Sequence, residues 1–129
     1  MTENEISGII LNAAIKIHRT IGPGLLESAY ESMLYYELTK KCGLKVERQK
    51  EIPLIYDGEM MDTAYRADLI VEGKVLIELK SVEEVSKVHF KQTLTYIRLQ
   101  DLQLGLLINF NDITLTAGYN RITNDLKEM

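Results

Sequence analysis

Asp68, Glu78 and Lys80 have the types and spacing that metal-assisted hydrolysis uses, with nine residues between the two carboxylates and one between Glu78 and the amine. Two carboxylates brought within a few ångströms hold a hard divalent cation, Mg²⁺ or Mn²⁺. Such a cation polarises a phosphoryl oxygen and lowers the pKa of a bound water, while a nearby lysine orients that water or stabilises developing negative charge. The same three letters also fit a strand with a surface ion pair, worth about 0 to 1 kcal/mol. The surrounding elements have to decide between them.

Those elements read as a β-hairpin. Leu69, Ile70 and Val71 precede Glu72-Gly73, and Val75, Leu76, Ile77 and Leu79 follow it, the aliphatic content of strands packed on both faces. Alternation along a strand puts Glu78 and Lys80 on one face with Leu76, and Asp68 on a face with Arg66 and Ile70. Charges that continue an apolar face are partly desolvated, at several kcal/mol per ion unless a partner or metal compensates. Loop length sets whether the two carboxylates meet. A two-residue turn would put Asp68 opposite Ile77, whereas a three-residue connection or a bulge around Gly73 puts it opposite Glu78.

Asp68, the nine-residue gap and Glu78-Leu79-Lys80 together resemble the motif of the PD-(D/E)XK nuclease superfamily, with Ala67 where its proline would stand. A second and more specific resemblance lies upstream. His18, Gly22-Pro23-Gly24 and Gly24-Leu25-Leu26-Glu27-Ser28-Ala29-Tyr30 are similar to the signature of the GxxExxY protein family, a PD-(D/E)XK-like group, and the similarity extends through Gly105 to Phe110. It implies a restriction-endonuclease-like α/β sandwich with a mixed central sheet flanked by helices, in one domain. It also implies that Asp68 and Glu78 bind metal with Glu27 and the Leu79 carbonyl assisting, and that Lys80 serves the water or the charge. Gln92 and Tyr96 reproduce a Q-x-x-x-Y spacing that resembles the helix after the metal-binding strand in exonuclease branches of the superfamily, where such residues support the lysine or the substrate. Tyr30, which shares a helix face with Glu27, is a further candidate at the substrate. Glu31, its neighbour at i+4, is a lesser substitute for Glu27.

The rest of the chain supplies elements to carry this set. Thr2 and Glu5 have capping-box spacing, and apolar residues from Ile6 to Ile17 recur at helical period, which predicts a helix over about 4 to 20. Gly22-Pro23-Gly24 ends it, and a second helix is expected from about Leu25 to Lys41, burying Leu26, Ala29, Met33, Leu34 and Leu38. Strands are expected over 46–49 and 52–56, where Arg48, Gln49 and Lys50 read as a solvated edge or as phosphate contacts. Ser86 begins a third helix to about Gln100, with Phe90, Leu94 and Ile97 on one side and Val85, His89, Gln92 and Tyr96 on another. His89 there reads as structural. An apolar run from Leu102 to Phe110 predicts a core strand parallel to that of Glu78, with Asn109 as its polar end, and Ile113 to Tyr119 a last edge strand.

Composition bounds the functional classes. At 129 residues the chain suits one domain. A net charge of −4 gives no global field toward nucleic acid, so phosphate contacts must be local or come through a metal. Cys42 is the single cysteine, which excludes an intrachain disulfide and a cysteine-based zinc site. Neither a signal peptide nor a membrane span is evident, and a cytoplasmic location is expected. The combined expectation is a Mg²⁺- or Mn²⁺-dependent nuclease acting on DNA or RNA, with no separate reading module, and paired as a homodimer if it cuts both strands. The alternative is a catalytically silent module of the same fold that binds nucleic acid or a protein partner.

Overall fold

The computed structural model describes residues 1–126. Five strands form one sheet in the order β1-β2-β3-β4-β5: β1 Val46–Tyr56, β2 Glu59–Val71, β3 Val75–Lys80, β4 Leu104–Asn109 and β5 Tyr119–Thr123. Neighbours are antiparallel except β3 and β4, which run parallel from Val75↔Leu104 to Lys80↔Asn109. Parallel neighbours need a crossover, and here it is the helix α3, Lys87–Leu99.

Helices cover both faces. On one side α1 (Glu3–Ile21) and α2 (Glu27–Tyr36) bury Ile6, Ile10, Tyr30 and Leu34 against Leu69, Ile77, Leu79 and Leu106. On the other, α3 packs Tyr96 and Ile97 on Ile52, Ala67, Ile70 and Leu76. Each fully buried aliphatic or aromatic side chain contributes about 1.5–3 kcal/mol. The Thr2 capping box forms as expected, with the Glu5 N–H donating to Thr2 Oγ1 at 3.1 Å and the Thr2 N–H donating to the Glu5 carboxylate at 3.0 Å. No helix among the described residues is long and apolar enough to cross a membrane.

Several boundaries differ from the sequence expectation. The second helix starts at Glu27, leaving Leu26 77% exposed, and its last turn, Glu37–Lys41, widens into a π-helix. Ala29 and Met33 are only half-buried. The two short strands over 46–56 are one, β1, because Arg48 and Lys50, on either side of Gln49, both stay paired to β2. On α3 the inward residues are Thr93, Tyr96 and Ile97 rather than Phe90, since the helix lies close on β4 at Gly105, where a Cβ would come within 3.0 Å of both Thr93 and Ile97. The last strand begins at Tyr119, not at Ile113, which is 94% exposed in a turn. Gly118 ends that turn because a Cβ there would fall 2.2 Å from the Asn109 carbonyl oxygen.

Candidate active site

The β2–β3 hairpin has the odd loop that a shared site requires. Val71 pairs with Val75, Ile70 with Leu76 and Leu69 with Ile77, so Glu72, Gly73 and Lys74 form a three-residue connection. The Lys74 N–H closes it on the Val71 carbonyl at 3.0 Å, with Glu72 and Gly73 at φ 54° and 64°. The next pair in register is Asp68 with Glu78.

The backbone ladder stops one rung short of them, and their side chains occupy the gap. Asp68 Oδ2 accepts the Leu79 N–H at 2.8 Å, while the Asp68 N–H donates to Glu78 Oε1 at 3.3 Å. Each carboxylate thus takes a backbone donor that a continued ladder would have used. The part of β2 before Leu69 pairs only with β1, so the two carboxylates lie where the strands separate. This is also the carboxyl end of the parallel pair β3 and β4, the usual position of sites in open α/β sheets.

The electrostatics follow from burial. Glu78 is 8% exposed, and desolvation, followed by the charge of Asp68, pushes its carboxyl up to about 8. Asp68 is half-buried and also raised, by burial first, against the opposing pull of the Leu79 N–H and, more weakly, of Gln49 and Lys80. Lys80, two residues beyond Glu78, lowers both carboxyls. Its cation does not cancel the negative charge gathered here. A set of hard oxygen donors, each raised first by burial and then by a neighbouring carboxylate, Glu31 for Asp68 and Asp68 for Glu78, fits a hard cation.

On the α3 side, Tyr96 lies beside this pair, its phenol raised by its own burial and then by the charges of Glu78, Tyr65 and Asp68. Gln92 hydrogen-bonds Tyr96, and the Tyr65 ring leans on the Tyr96 ring with centroids 5.5 Å apart. These residues, with Leu54, Thr95 and Leu99, line a cavity of about 250 Å³. Tyr96 therefore lies within electrostatic reach of the carboxylates with Gln92 bonded to it, in a cavity whose lining does not include Asp68 or Glu78.

Glu27 and Tyr30 are not brought to the site. Glu27 is exposed on the first turn of α2, and no three Asp, Glu, His or Cys groups are clustered to hold a metal among the described residues, so Glu27 does not complete a three-carboxylate set. Tyr30 is fully buried: its ring stacks on Phe110 at 4.4 Å, and its hydroxyl donates to the Gly22 carbonyl at 2.6 Å and accepts the Leu25 N–H at 3.2 Å. It pins the glycine-rich turn and has no surface left for a substrate. The carboxylate that α2 delivers is Glu31, 6% exposed. Its charge acts on Asp68, and Gln49 links the two, donating to Glu31 Oε1 at 2.6 Å and to Asp68 Oδ1 at 3.3 Å. The sequence signal for Glu31 was its place in the buried stripe of Tyr30, Leu34 and Leu38, whereas Glu27 sits where no preceding turn covers it.

His89, Asn109 and His18 each bond within the fold. His89 Nδ1 accepts the Ser86 N–H at 3.2 Å, capping α3. Asn109 binds both backbone groups of Val82, at 3.1 and 2.9 Å, fixing the loop after β3. His18 Nε2 donates to the Asp112 carbonyl at 2.9 Å, tying α1 to the loop after β4.

A search of curated proteins returned no significant match. One solved structure, titled "Crystal structure of SSO0001", aligns with a TM-score of 0.52 and 19% identity over 95% of this chain and 79% of that one, a likeness of fold. The family model of the PD-(D/E)XK nuclease superfamily matches residues 4–122. That span takes in both helices of the first layer, the carboxylate hairpin, α3 and almost all of β5, so this chain belongs to the PD-(D/E)XK nuclease superfamily.

Proposed function

We propose that the protein is a Mg²⁺- or Mn²⁺-dependent nuclease that hydrolyses phosphodiester bonds in DNA or RNA. The observation that carries this reading is the convergence of Asp68 and Glu78 at the opening of the hairpin, two residues from Lys80. Asp68 and Glu78 would hold the metal, assisted by the Leu79 carbonyl. When bound, a divalent cation supplies Lewis acidity toward the phosphoryl group and toward a water.

The chain's own residues do the rest. The Leu79 N–H fixes one Asp68 oxygen and the Asp68 N–H holds one Glu78 oxygen, which sets both carboxylates before any ligand arrives. Preorganisation of this kind removes a reorganisation cost from the chemical step. Lys80 stabilises charge on the phosphoryl oxygens or orients the attacking water. Gln92 and Tyr96 present an amide and a phenol to the strand, with Tyr65 extending the aromatic wall for an unpaired base. Cutting both strands of a duplex would need two copies, and the β5 edge is where a second copy would pair; light scattering at micromolar concentration reads that directly.

The test is cleavage of labelled single-stranded and duplex oligonucleotides in Mg²⁺, Mn²⁺ and EDTA. Cleavage that requires the divalent ion and disappears in Asp68→Ala supports the reading. Cleavage that survives in Asp68→Ala, or none with any substrate in either metal, overturns it. In the second case the protein is the silent form of the fold.

A further inference from the structure

Arg48 and Gln49 are consecutive residues of β1, and successive side chains of a strand point to opposite faces. Both nevertheless bond one carboxylate. Arg48 Nε donates to Glu31 Oε2 at 2.7 Å and Gln49 Nε2 donates to Glu31 Oε1 at 2.6 Å. The alternation is broken at Gln49, whose φ is 51°, in the left-handed region that is unfavourable for a residue with a side chain. The β1–β2 register skips this one position, pairing Arg48 with Leu69 and Lys50 with Ala67 and leaving Gln49 unpaired beside Asp68.

This departure from strand geometry has a specific product. It places the Gln49 amide between two carboxylates, bonded to Glu31 at 2.6 Å and to Asp68 Oδ1 at 3.3 Å. Between two negative groups only the NH₂ end is acceptable, so its orientation is dictated. The bonds are unequal. Glu31 is buried and further fixed by Arg48, which also donates to Ser32 and lies 5.5 Å over the Tyr35 ring. The short bond therefore anchors the amide to the helix, and the long one guides Asp68. With Leu79 holding Oδ2, the Gln49 contact fixes the remaining rotation of the Asp68 carboxylate.

We propose that Gln49 is a positioning residue: its left-handed backbone and its anchor on Glu31 hold the Asp68 carboxylate in the orientation that binds the divalent cation. This rests on the metal site of the proposed nuclease. Gln49 itself is solvent-exposed, so removal of its amide deletes no core packing and leaves Glu31 held by Arg48, while partners of metal ligands typically change metal affinity about 10- to 100-fold.

The experiment measures Mn²⁺ affinity by electron paramagnetic resonance, with urea unfolding alongside, for the wild type, Gln49→Met and Gln49→Gly. Gln49→Met keeps the reach and loses the amide; Gln49→Gly also relieves the backbone, so at least one variant folds whatever the strain contributes. The expected result is Mn²⁺ binding weakened about 10-fold or more in both, with Gln49→Gly at least as stable as Gln49→Met. In cleavage, kcat falls while KM for the oligonucleotide stays. Unchanged Mn²⁺ affinity in both variants overturns the positioning role and leaves the metal site standing. Absence of Mn²⁺ binding in the wild type overturns both.

Discussion

Glu78→Gln separates the charge of the site from its shape. In the folded protein the Glu78 carboxyl is pushed up to about 8 from an ordinary 4.5, so the native state holds this proton more tightly than the unfolded chain does. Stability from this group is fully present below pH 4.5 and is lost as pH rises through about 8. At about 1.4 kcal/mol per pH unit the ceiling is roughly 5 kcal/mol, and relaxation and water at the partly open site reduce it to a few kcal/mol. Glutamine has nearly the same shape, keeps an oxygen for the Asp68 N–H and does not titrate. Urea unfolding in EDTA at pH 5, 6.5, 8 and 9 should show the wild type losing stability relative to Glu78→Gln across that range, with the variant ahead by a few kcal/mol at pH 9. Saturating Mg²⁺ should restore the wild type by about 2.7 kcal/mol at a hundredfold excess over Kd and leave the variant much less affected. Parallel stability curves from pH 5 to 9 would refute the reasoning, because a desolvated carboxyl facing Asp68 cannot titrate like a free one.

Other perturbations follow from the same geometry. Lys80→Ala should lower kcat about 10²- to 10³-fold, the scale for loss of a charge-stabilising donor, with Mn²⁺ affinity and unfolding near wild type; stopped single-turnover cleavage checks it. Tyr30→Phe should destabilise the protein by about 1–3 kcal/mol in urea unfolding, because the Gly22 carbonyl and Leu25 N–H lose the hydroxyl between them, with KM unchanged. Glu27→Gln should stay within about 0.5 kcal/mol of the wild type in stability and leave Mn²⁺ affinity unchanged. Glu31→Gln, which leaves Arg48 without its carboxylate, should lose more stability than Glu27→Gln in the same measurement.

The central pair was legible because its signal is local. Charges interrupting aliphatic strands, together with a glycine at the turn, specify the Asp68–Glu78 pair once the loop length is known, and the hairpin has the three-residue loop. The first helix and the cap of α3 were legible for the same reason, since caps and period are written in neighbouring residues. What escaped is set by tertiary packing. Tyr30 and Glu27 share a helix face, but the turn at Gly22 covers the tyrosine and leaves the glutamate in solvent. Ile113 has strand propensity, yet Gly118 must pass against Asn109 and the chain turns until it has done so. The Gln49 kink has no sequence mark at all, because nothing in its side chain favours a positive φ; it follows from Glu31, a helix away, and from Asp68, a strand away.

The most direct measurement is anomalous scattering from a crystal grown or soaked in Mn²⁺. The expected result is a Mn²⁺ peak in contact with oxygens of both Asp68 and Glu78, which disappears in Asp68→Ala crystals treated alike. A saturated soak with no peak at these carboxylates, or with Mn²⁺ bound only elsewhere on the protein, would contradict the metal site on which the proposed nuclease rests.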